Sequence, residues 1–267
     1  MQTTLSTLFA LVITTTMLVS CRKEPGSGQV DTPPLKHVKK VAGSASEYVQ
    51  YQYNTKGHVS GYISQWRDAA GNLLRQNNSF TYDANNRLIK WSNEAGYGLY
   101  TYQNGRLHQS EHFAANDRKI ATLRYTFDAE DRLTTVVESI ADPTPGGPKQ
   151  TRVSYQYHSN GNLSRIDFAL RNELTDPFAV NFSKKFVQYD DKRNPEPDGV
   201  LGAFLAGVTL LFNNPLRIEN ILADGTVQGY TRYEYTYNAE GLPLQRKQYI
   251  AVNNTEQPPL VFTYEYD

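Results

Sequence analysis

The segment from His108 to His112 carries the residues best suited to metal chemistry in this chain. His108, Glu111 and His112 fit a His-x-x-Glu-His pattern, which can hold a zinc ion when it lies on a helix and brings the two histidines together. Here it follows Asn104-Gly105, a hairpin turn signal, so we expect a strand. In a strand the two histidines lie about 13 Å apart, because each residue adds about 3.3 Å. The sequence therefore predicts a surface strand and no zinc site.

The other ionisable side chains occupy positions that favour structural roles. Asp83, Asp128 and Asp190 stand at turn entrances, where a carboxylate accepts backbone N–H groups. We expect turn capping there rather than the acid and base pair of a sugar hydrolase. The sequence has no phosphate-binding glycine-rich motif and no nucleophile elbow, and it predicts a noncatalytic protein without a cofactor or metal ion. Three further histidines, in the N-terminal segment or beside turns, are expected at the surface: His37, His58 and His158.

Cys21, the only cysteine, follows an apolar run from Leu5 to Val19 and resembles the cysteine of a bacterial lipobox. The run is shorter than the roughly 20 residues that a transmembrane helix needs. We therefore predict that residues 1–20 are a signal peptide and that Cys21 becomes a lipidated N-terminus. The start, Met1–Thr4, departs from the usual pattern because it has no Lys or Arg. Stable anchoring needs more than one acyl chain, which the lipid-modified cysteine of bacterial lipoproteins supplies.

Residues 21–46 are rich in Gly, Ser, Pro and Lys and are predicted to form a solvated tether after the lipid anchor. Arg22-Lys23-Glu24 partly resembles the surface-export tag of Bacteroidota-type lipoproteins, although Pro25 stands where a second acidic residue is usual. We expect an outer membrane lipoprotein that is surface-exposed or faces the periplasm. Residues 47–267 remain as a single domain.

Composition sets the class of that domain. The chain has 19 Tyr, 11 Phe and 2 Trp residues, and aromatic residues favour sheets with one buried and one wetted face. The 27 basic and 27 acidic residues give a formal net charge of zero, unlike the basic footprint of a nucleic-acid binder. We expect an all-β domain that binds no nucleic acid.

A short unit recurs along the domain and accounts for many of the tyrosines. In the first copy, Tyr51-Gln52-Tyr53 precedes Asn54 and a loop that ends in Gly57. Residues i and i+2 of a strand share one face, so both tyrosines point to the same side. The third loop residue is Gly, Asn or Asp, which tolerate the positive φ of a three-residue hairpin loop with a bulge. The copies span residues 51–59, 80–88, 125–133, 155–163 and 235–243.

The repeat also predicts hairpin register, because a three-residue loop places the second aromatic residue opposite the aliphatic residue that ends the unit. One copy is a residue shorter, but a two-residue type I′ turn at Asn104-Gly105 keeps Tyr102 opposite Leu107. In the last copy Pro243 takes the aliphatic place, so we expect an edge, a bulge or loose pairing. The other predicted pairs are Tyr53 with Val59, Tyr82 with Leu88, Phe127 with Leu133 and Tyr157 with Leu163.

Turn signals recur about every 10–15 residues and predict an antiparallel meander of about 13–16 strands. Open sheets rarely exceed about 10 strands, so we expect a sheet that is curled or closed into a barrel. The segment 199–208 is apolar on all sides and lacks strand alternation. It is predicted to be a short helix or compact loop that caps the sheet.

The tyrosine-aspartate units resemble those of Rhs-type proteins. The lipobox, these units and the segments Tyr189–Pro195 and Asn213–Leu216 together resemble small Bacteroidota-type lipoproteins of unknown function that carry a porin-like β-barrel domain. The resemblance implies a barrel and supplies no catalytic residue. An integral porin is the rival interpretation. We expect a water-soluble barrel, because a lipid anchor is redundant for a protein that spans the membrane itself.

The sequence leaves the ligand open. We expect a binding module for a glycan, peptide or protein, with Trp66 and Trp91 as a candidate ligand platform and the membrane as a partner through Cys21. The alternative is a structural component of an envelope assembly, and a hydrolase is a distant third. Exposed aromatic residues in a concave surface would favour the binding module, whereas a flat surface with one apolar patch would favour the structural role.

Overall fold

A computed structural model describes residues 36–196, 208–252 and 255–267. Every regular element in these ranges is a β-strand. The described residues contain no helix with the length and apolar character needed to cross a membrane. The strands are β1 (Val38–Ala42), β2 (Tyr48–Tyr53), β3 (Val59–Arg67), β4 (Leu73–Tyr82), β5 (Leu88–Asn93), β6 (Gly96–Gln103), β7 (Arg106–Ala114), β8 (Lys119–Phe127), β9 (Leu133–Ile140), β10 (Gln150–Tyr157), β11 (Leu163–Arg171), β12 (Ala179–Arg193), β13 (Asn213–Leu222), β14 (Val227–Tyr237), β15 (Pro243–Val252), β16 (Thr255–Glu256) and β17 (Leu260–Tyr266).

The strands close into a barrel. Each strand from β1 to β15 pairs antiparallel with the next, β15 also pairs with β17, and β17 pairs with β1. The two-residue strand β16 lies beside β15 and is not part of the ring. Sixteen strands therefore form the barrel, and the even number lets every neighbouring pair run antiparallel. The predicted all-β meander is confirmed, and the sheet is closed.

The N-terminal boundary of the domain lies earlier than the sequence indicated. The compact unit begins at Lys36, and β1 lies inside the segment 21–46 that was predicted to be tether. This strand is needed because it joins β17 to β2 and so closes the ring. His37, also assigned to the tether, stacks on Tyr53 with ring centroids 4.4 Å apart. Cys21, the predicted signal peptide 1–20 and all of segment 199–208 except Val208 lie outside the described residues.

The repeat hairpins have the predicted turns. Positive φ occurs at the third loop residue of each copy. Asp83 shows how the loop is held: its Oδ1 accepts the backbone N–H groups of Asn85 and Arg87, each at 2.9 Å, and its Oδ2 accepts Nε of Arg87 at 2.8 Å. These bonds lower the pKa of Asp83, with the backbone N–H of Arg87 as the largest cause. Turn capping by this carboxylate is confirmed. The third loop residues are Gly57, Asn86, Asp131, Gly161 and Gly241.

The predicted register is also confirmed. In the short copy, Asn104 and Gly105 have φ of 52° and 79°, as a type I′ turn requires, and Tyr102 pairs with Leu107. Pro243 pairs with Tyr237 across the predicted bulge, and it is among the most buried side chains. The remaining pairs are Tyr53 with Val59, Tyr82 with Leu88, Phe127 with Leu133 and Tyr157 with Leu163.

All the repeat turns lie at one end of the barrel, which we call the repeat end, because alternate hairpins of a meander point the same way. There the second aromatic residue of a unit donates a hydrogen bond to the carbonyl of the aliphatic residue in the preceding hairpin. We call this set of bonds the tyrosine ring. It comprises Tyr53 to Val38 (2.8 Å), Tyr82 to Val59 (2.7 Å), Tyr102 to Leu88 (3.0 Å), Tyr157 to Leu133 (2.7 Å), Tyr189 to Leu163 (2.8 Å) and Tyr266 to Pro243 (2.8 Å).

The segments Tyr189–Pro195 and Asn213–Leu216 take part in a polar network where the repeat pattern is interrupted. Asp190 accepts hydrogen bonds from the hydroxyl of Tyr237 and from the backbone and side-chain amides of Asn214. Asn162, fully buried, accepts the backbone N–H groups of Phe212 and Asn213. These bonds fix the strand ends on both sides of residues 197–207. The roles are structural, in agreement with the interpretation of Asp190 as a capping residue.

The outer wall of the barrel carries many charged side chains, with exposed apolar residues such as Leu99 and Val261 among them. Paired side chains share a face, and the outward-facing partners form ion pairs around the wall. Examples are Lys119 with Glu111, Arg165 with Asp167 at 2.6 Å, and Arg217 with Glu219 at 3.3 Å. Arg232 pairs with Glu256 at 2.9 Å and stacks on Tyr249. These groups lie along the middle of their strands as well as at the ends.

Candidate lumen site

The barrel encloses a cavity of about 440 Å³ between β3 and β10. This volume lies within the range of about 300–1,000 Å³ that small-molecule sites occupy. Its floor is formed by the first aromatic residues of several repeat units, which lie one layer above the tyrosine ring. The lining residues are Tyr62, Gln76, Asn78, Phe80, Trp91, Asn93, Tyr100, His112, Leu123, Tyr125, Val136, Val153 and Tyr155.

Small residues at lumen-facing positions open the space beside these walls. Register places Gly98 between Trp91 on β5 and His112 on β7, and it places Ala121 on the far side of His112. Gly96 lies one pair farther along, next to Ala114. A Cβ added at Gly98 would lie 3.1 Å from the His112 ring. The sequence signal for the close approach of Trp91 and His112 is therefore Gly98, a glycine within a strand.

One wall of the cavity is aromatic. The rings of Tyr62 and Phe80 are 5.8 Å apart, and Trp91 pairs directly with Phe80 across β4 and β5. The rings of Trp91 and His112 are 5.7 Å apart across Gly98. These four rings present broad apolar faces, while the indole and imidazole also carry polar atoms.

The same wall carries amides beside the rings, because Asn78 pairs with Tyr62 and Asn93 lies two residues beyond Trp91. Asn93 accepts the backbone N–H groups of Ala95 and Gly96 through Oδ1, at 2.9 and 3.1 Å, so its Nδ2 is the atom that faces Asn78. That Nδ2 donates to Oδ1 of Asn78 at 3.2 Å. The Nδ2 of Asn78 then has no hydrogen-bond partner within the described part of the chain, although the residue is only 8% exposed. An unpaired buried donor is unfavourable by about 1–3 kcal/mol.

His112 faces this lumen instead of the surface. The segment is a strand, as predicted, but His112 is half-buried. The bulge at Tyr102 shifts the alternation of inward and outward residues along β7, and His112 falls on the inward side. Its Nε2 lies 3.1 Å from Oγ of Ser110, which is 2.8 Å from the hydroxyl of Tyr125. Burial lowers the pKa of His112, and the charge of Glu138 opposes that shift. Burial raises the pKa of Tyr125 to about 12.

An ion pair lies in another part of the lumen. Arg246 and Glu196 are 2.5 Å apart and less than a tenth exposed, and the hydroxyl of Tyr264 donates to Glu196 at 2.6 Å. Phe262 covers the guanidinium at 4.7 Å. Removing one partner of such a buried ion pair strongly destabilises the folded protein, because the other charge is left buried and unpaired. Its contacts fix the residues that follow β12, and none of its members lines the cavity.

The two tryptophans proposed as a ligand platform are not brought together. Trp91 lies in the cavity wall, whereas Trp66 pairs with Leu74 near the other end of β3 and is absent from the lining. Along β4, Leu74 and Phe80 are about 20 Å apart at 3.3 Å per residue, and Phe80 is the partner of Trp91. Cys21, the predicted lipidation site, is outside the described residues.

The lumen opens at the end opposite the repeats. Side chains that face inward there are exposed: Trp66 and Leu74 by 40%, and Leu260 by 50%. The described chain begins at the other end, where Lys36 pairs with Glu240 in a repeat turn at 2.9 Å.

The cavity offers polar groups without the usual arrangement for hydrolysis or metal binding. Its lining contains no Asp or Glu, and acid-base cleavage of a glycosidic bond uses two carboxyl groups. Across residues 36–196, 208–252 and 255–267, no group of three or more His, Cys, Asp and Glu side chains is placed to hold a metal ion.

Two solved structures share this fold. A porin-like protein from Bacteroides uniformis ATCC 8492 matches with a TM-score of 0.56 and 14% identity, over 86% of this chain and 96% of that one. A porin-like protein from Bacteroides vulgatus ATCC 8482 matches with a TM-score of 0.51 and 13% identity, over 87% and 99%. At these identities the matches establish a porin-like barrel fold alone. No protein-family model and no curated protein matches the chain.

Proposed function

We propose that this chain is a noncatalytic binding protein of the cell envelope, which holds a small ligand in the lumen of its barrel. The observation that carries the proposal is the cavity beside Trp91, where aromatic faces and amide groups converge on a space of ligand size. Concave exposed aromatics are the feature that distinguishes a binding module from a structural component.

We further propose that the barrel is water-soluble and is held at the outer membrane by the lipid on Cys21, facing the cell surface or the periplasm. The two matched structures are described as porin-like, but a pore-forming barrel presents an apolar band to lipid. Here Arg165, Arg217 and Arg232 lie on the outer wall in ion pairs. Each Arg at the bilayer midplane would cost about 2–4 kcal/mol, so insertion of this wall is unfavourable.

The geometry suits attachment by a tether. The described chain starts at the repeat end, which is packed by the tyrosine ring, and the lumen opens at the opposite end. A tether joined at Lys36 would start from the end of the barrel away from the mouth. The formal charge of zero also gives no basis for binding nucleic acid.

A structural role remains the second candidate, and the rim of the mouth is the feature that favours it. Inward-facing apolar side chains are exposed there by 38–52% and offer contacts to another protein. Binding in the cavity and contact at the rim can be separated by their dependence on Trp91. The rim residues are Trp66, Leu74, Leu222, Val252 and Leu260.

The proposed function is tested by ligand-induced thermal stabilisation of the full chain in detergent. Panels of neutral oligosaccharides, short uncharged peptides and nucleosides are screened, because a ligand that binds only the folded state raises the melting temperature. We expect stabilisation by members of one panel in the wild type and in Trp66→Ala, and its loss in Trp91→Ala. A stabilising ligand that acts equally on all three proteins, or no stabilising ligand, would refute binding in the cavity.

A further inference from the structure

The unpaired amide of Asn78 points to the chemistry of the ligand. The orientation of Asn93 is fixed by two backbone N–H groups, so Asn78 uses its oxygen as an acceptor and keeps its Nδ2 as a donor. That donor lacks a partner in the described residues. Gln76, on the same face of β4, adds a second amide to this wall. The wall therefore presents both donors and acceptors, which match hydroxyl groups.

The same wall also carries aromatic side chains, because Tyr62 pairs with Asn78 across β3 and β4 and Phe80 follows Asn78 by two residues. Trp91, Tyr62 and Phe80 contribute adjoining rings, and His112 extends the aromatic surface across Gly98. A ligand that fits this wall needs an apolar face over the rings and hydroxyl groups at the edge that meets the amides. A sugar ring has this arrangement, since its C–H groups can lie on an aromatic face while its hydroxyls point outward.

The cavity favours a ligand without charge. No Asp, Glu, Lys or Arg belongs to its lining. Burial lowers the pKa of His112, and burial raises the pKa of Tyr125 to about 12, so both side chains are neutral near pH 7. An anionic ligand would lose hydration here without gaining an opposite charge, and it would be repelled by the nearby carboxylate of Glu138, whose charge acts on His112.

We propose that the lumen cavity binds a neutral carbohydrate, with a sugar ring stacked on Trp91 and a hydroxyl group accepting a hydrogen bond from Nδ2 of Asn78. This inference rests on the proposed function and specifies the ligand class of the same site. Ser110 and Tyr125 act as positioning residues, because their hydroxyl groups hold the His112 ring beside Trp91.

Isothermal titration calorimetry of the full chain in detergent tests this assignment. The probes are glucose, galactose, mannose, N-acetylglucosamine and disaccharides of each, and the proteins are wild type, Asn78→Ala, Trp91→Ala and Trp66→Ala. We expect a saturable sugar signal in the wild type. Affinity should fall about tenfold or more in Asn78→Ala and in Trp91→Ala, and it should be unchanged in Trp66→Ala.

Folding of the variants is followed by thermal melting. Asn78→Ala removes one unpaired buried donor but deprives Nδ2 of Asn93 of its acceptor, so its melting temperature should fall less than that of Trp91→Ala, which leaves a void. Reduced affinity in a normally melting Asn78→Ala protein is therefore assigned to the lost contact.

The outcomes distinguish this inference from the proposed function. If no sugar binds but an uncharged peptide or nucleoside does, and its binding depends on Trp91, the carbohydrate assignment is refuted. The proposed binding function of the cavity then still stands. If sugars bind with the same affinity to the wild type, Asn78→Ala and Trp91→Ala, the lumen cavity is not the binding site. Absence of binding by any of the three classes overturns both proposals.

Discussion

The hydroxyl of Tyr157 donates a hydrogen bond of 2.7 Å to the backbone carbonyl of Leu133, the aliphatic residue of the preceding hairpin. The same relationship recurs at the other members of the tyrosine ring, so these neighbouring strand pairs are bonded through a side chain as well as through the sheet. Arg132 adds a contact at this position, with its guanidinium 5.0 Å from the Tyr157 ring. The ring packs the repeat end of the barrel and supports the floor of the lumen cavity.

Removing one hydroxyl from this ring should destabilise the barrel. In Tyr157→Phe the ring still fills its place, but the carbonyl of Leu133 loses its partner. We expect the free energy of unfolding to fall by about 1–2 kcal/mol in urea denaturation, with an unchanged slope. An unfolding curve identical to that of the wild type would contradict the role of the tyrosine ring.

Phe127 provides the converse test, because it stands where the ring lacks a hydroxyl. By the pattern of its neighbours, a tyrosine there would donate to the carbonyl of Leu107, which is the aliphatic residue of the preceding hairpin. We expect Phe127→Tyr to raise the free energy of unfolding by about 0.5–1.5 kcal/mol, measured in the same urea series. Destabilisation would show that the spacing of the ring differs at this position.

The hairpins could be predicted from sequence because their information is local. Loop length and a residue that tolerates positive φ, such as Asn86 or Gly57, fix the register of two adjoining strands. The tyrosine ring could not be predicted in this way, because the carbonyl that Tyr157 reaches depends on the stagger between separate hairpins. Closure likewise depends on β17 pairing with both β15 and β1, which lie at opposite ends of the chain.

The candidate site was only partly predictable. The aromatic content of the sequence indicated both Trp91 and Trp66 as ligand residues. Only Trp91 lines the cavity, so composition could not distinguish the two. Asn78 lies mid-strand among polar residues, and its unpaired amide arises from contacts with Asn93. The inward direction of His112 depends on the bulge next to Tyr102. Each of these properties requires knowledge of neighbouring strands.

Stability should depend on pH through His112. Burial lowers its pKa in the folded barrel, so the unfolded chain binds the proton more readily, and stability falls as pH drops below the ordinary histidine value of about 6.5. We expect the melting temperature of the wild type to decline between about pH 7 and about pH 5. His112→Gln should show a smaller decline over that interval. Equal declines in the two proteins would place the pH dependence elsewhere.

Membrane attachment should depend on Cys21. The outer wall carries paired charges, which are unfavourable in a lipid bilayer. We expect wild type to sediment with membranes and to have lost residues 1–20 by mass spectrometry, and we expect Cys21→Ser to become soluble with an uncleaved N-terminus. Retention of Cys21→Ser in the membrane fraction would rule out the lipid as the anchor.

Fluorescence of Trp91 measures occupancy of the lumen most directly. The chain has two tryptophans, so Trp66→Phe leaves Trp91 in the cavity wall as the sole tryptophan, and Trp91→Phe leaves Trp66 at the rim as the matched control. Titration with the neutral sugars should give a saturable change in the emission of Trp91 and no change in that of Trp66. A ligand that binds by calorimetry while the emission of Trp91 stays constant would contradict the lumen as the binding site.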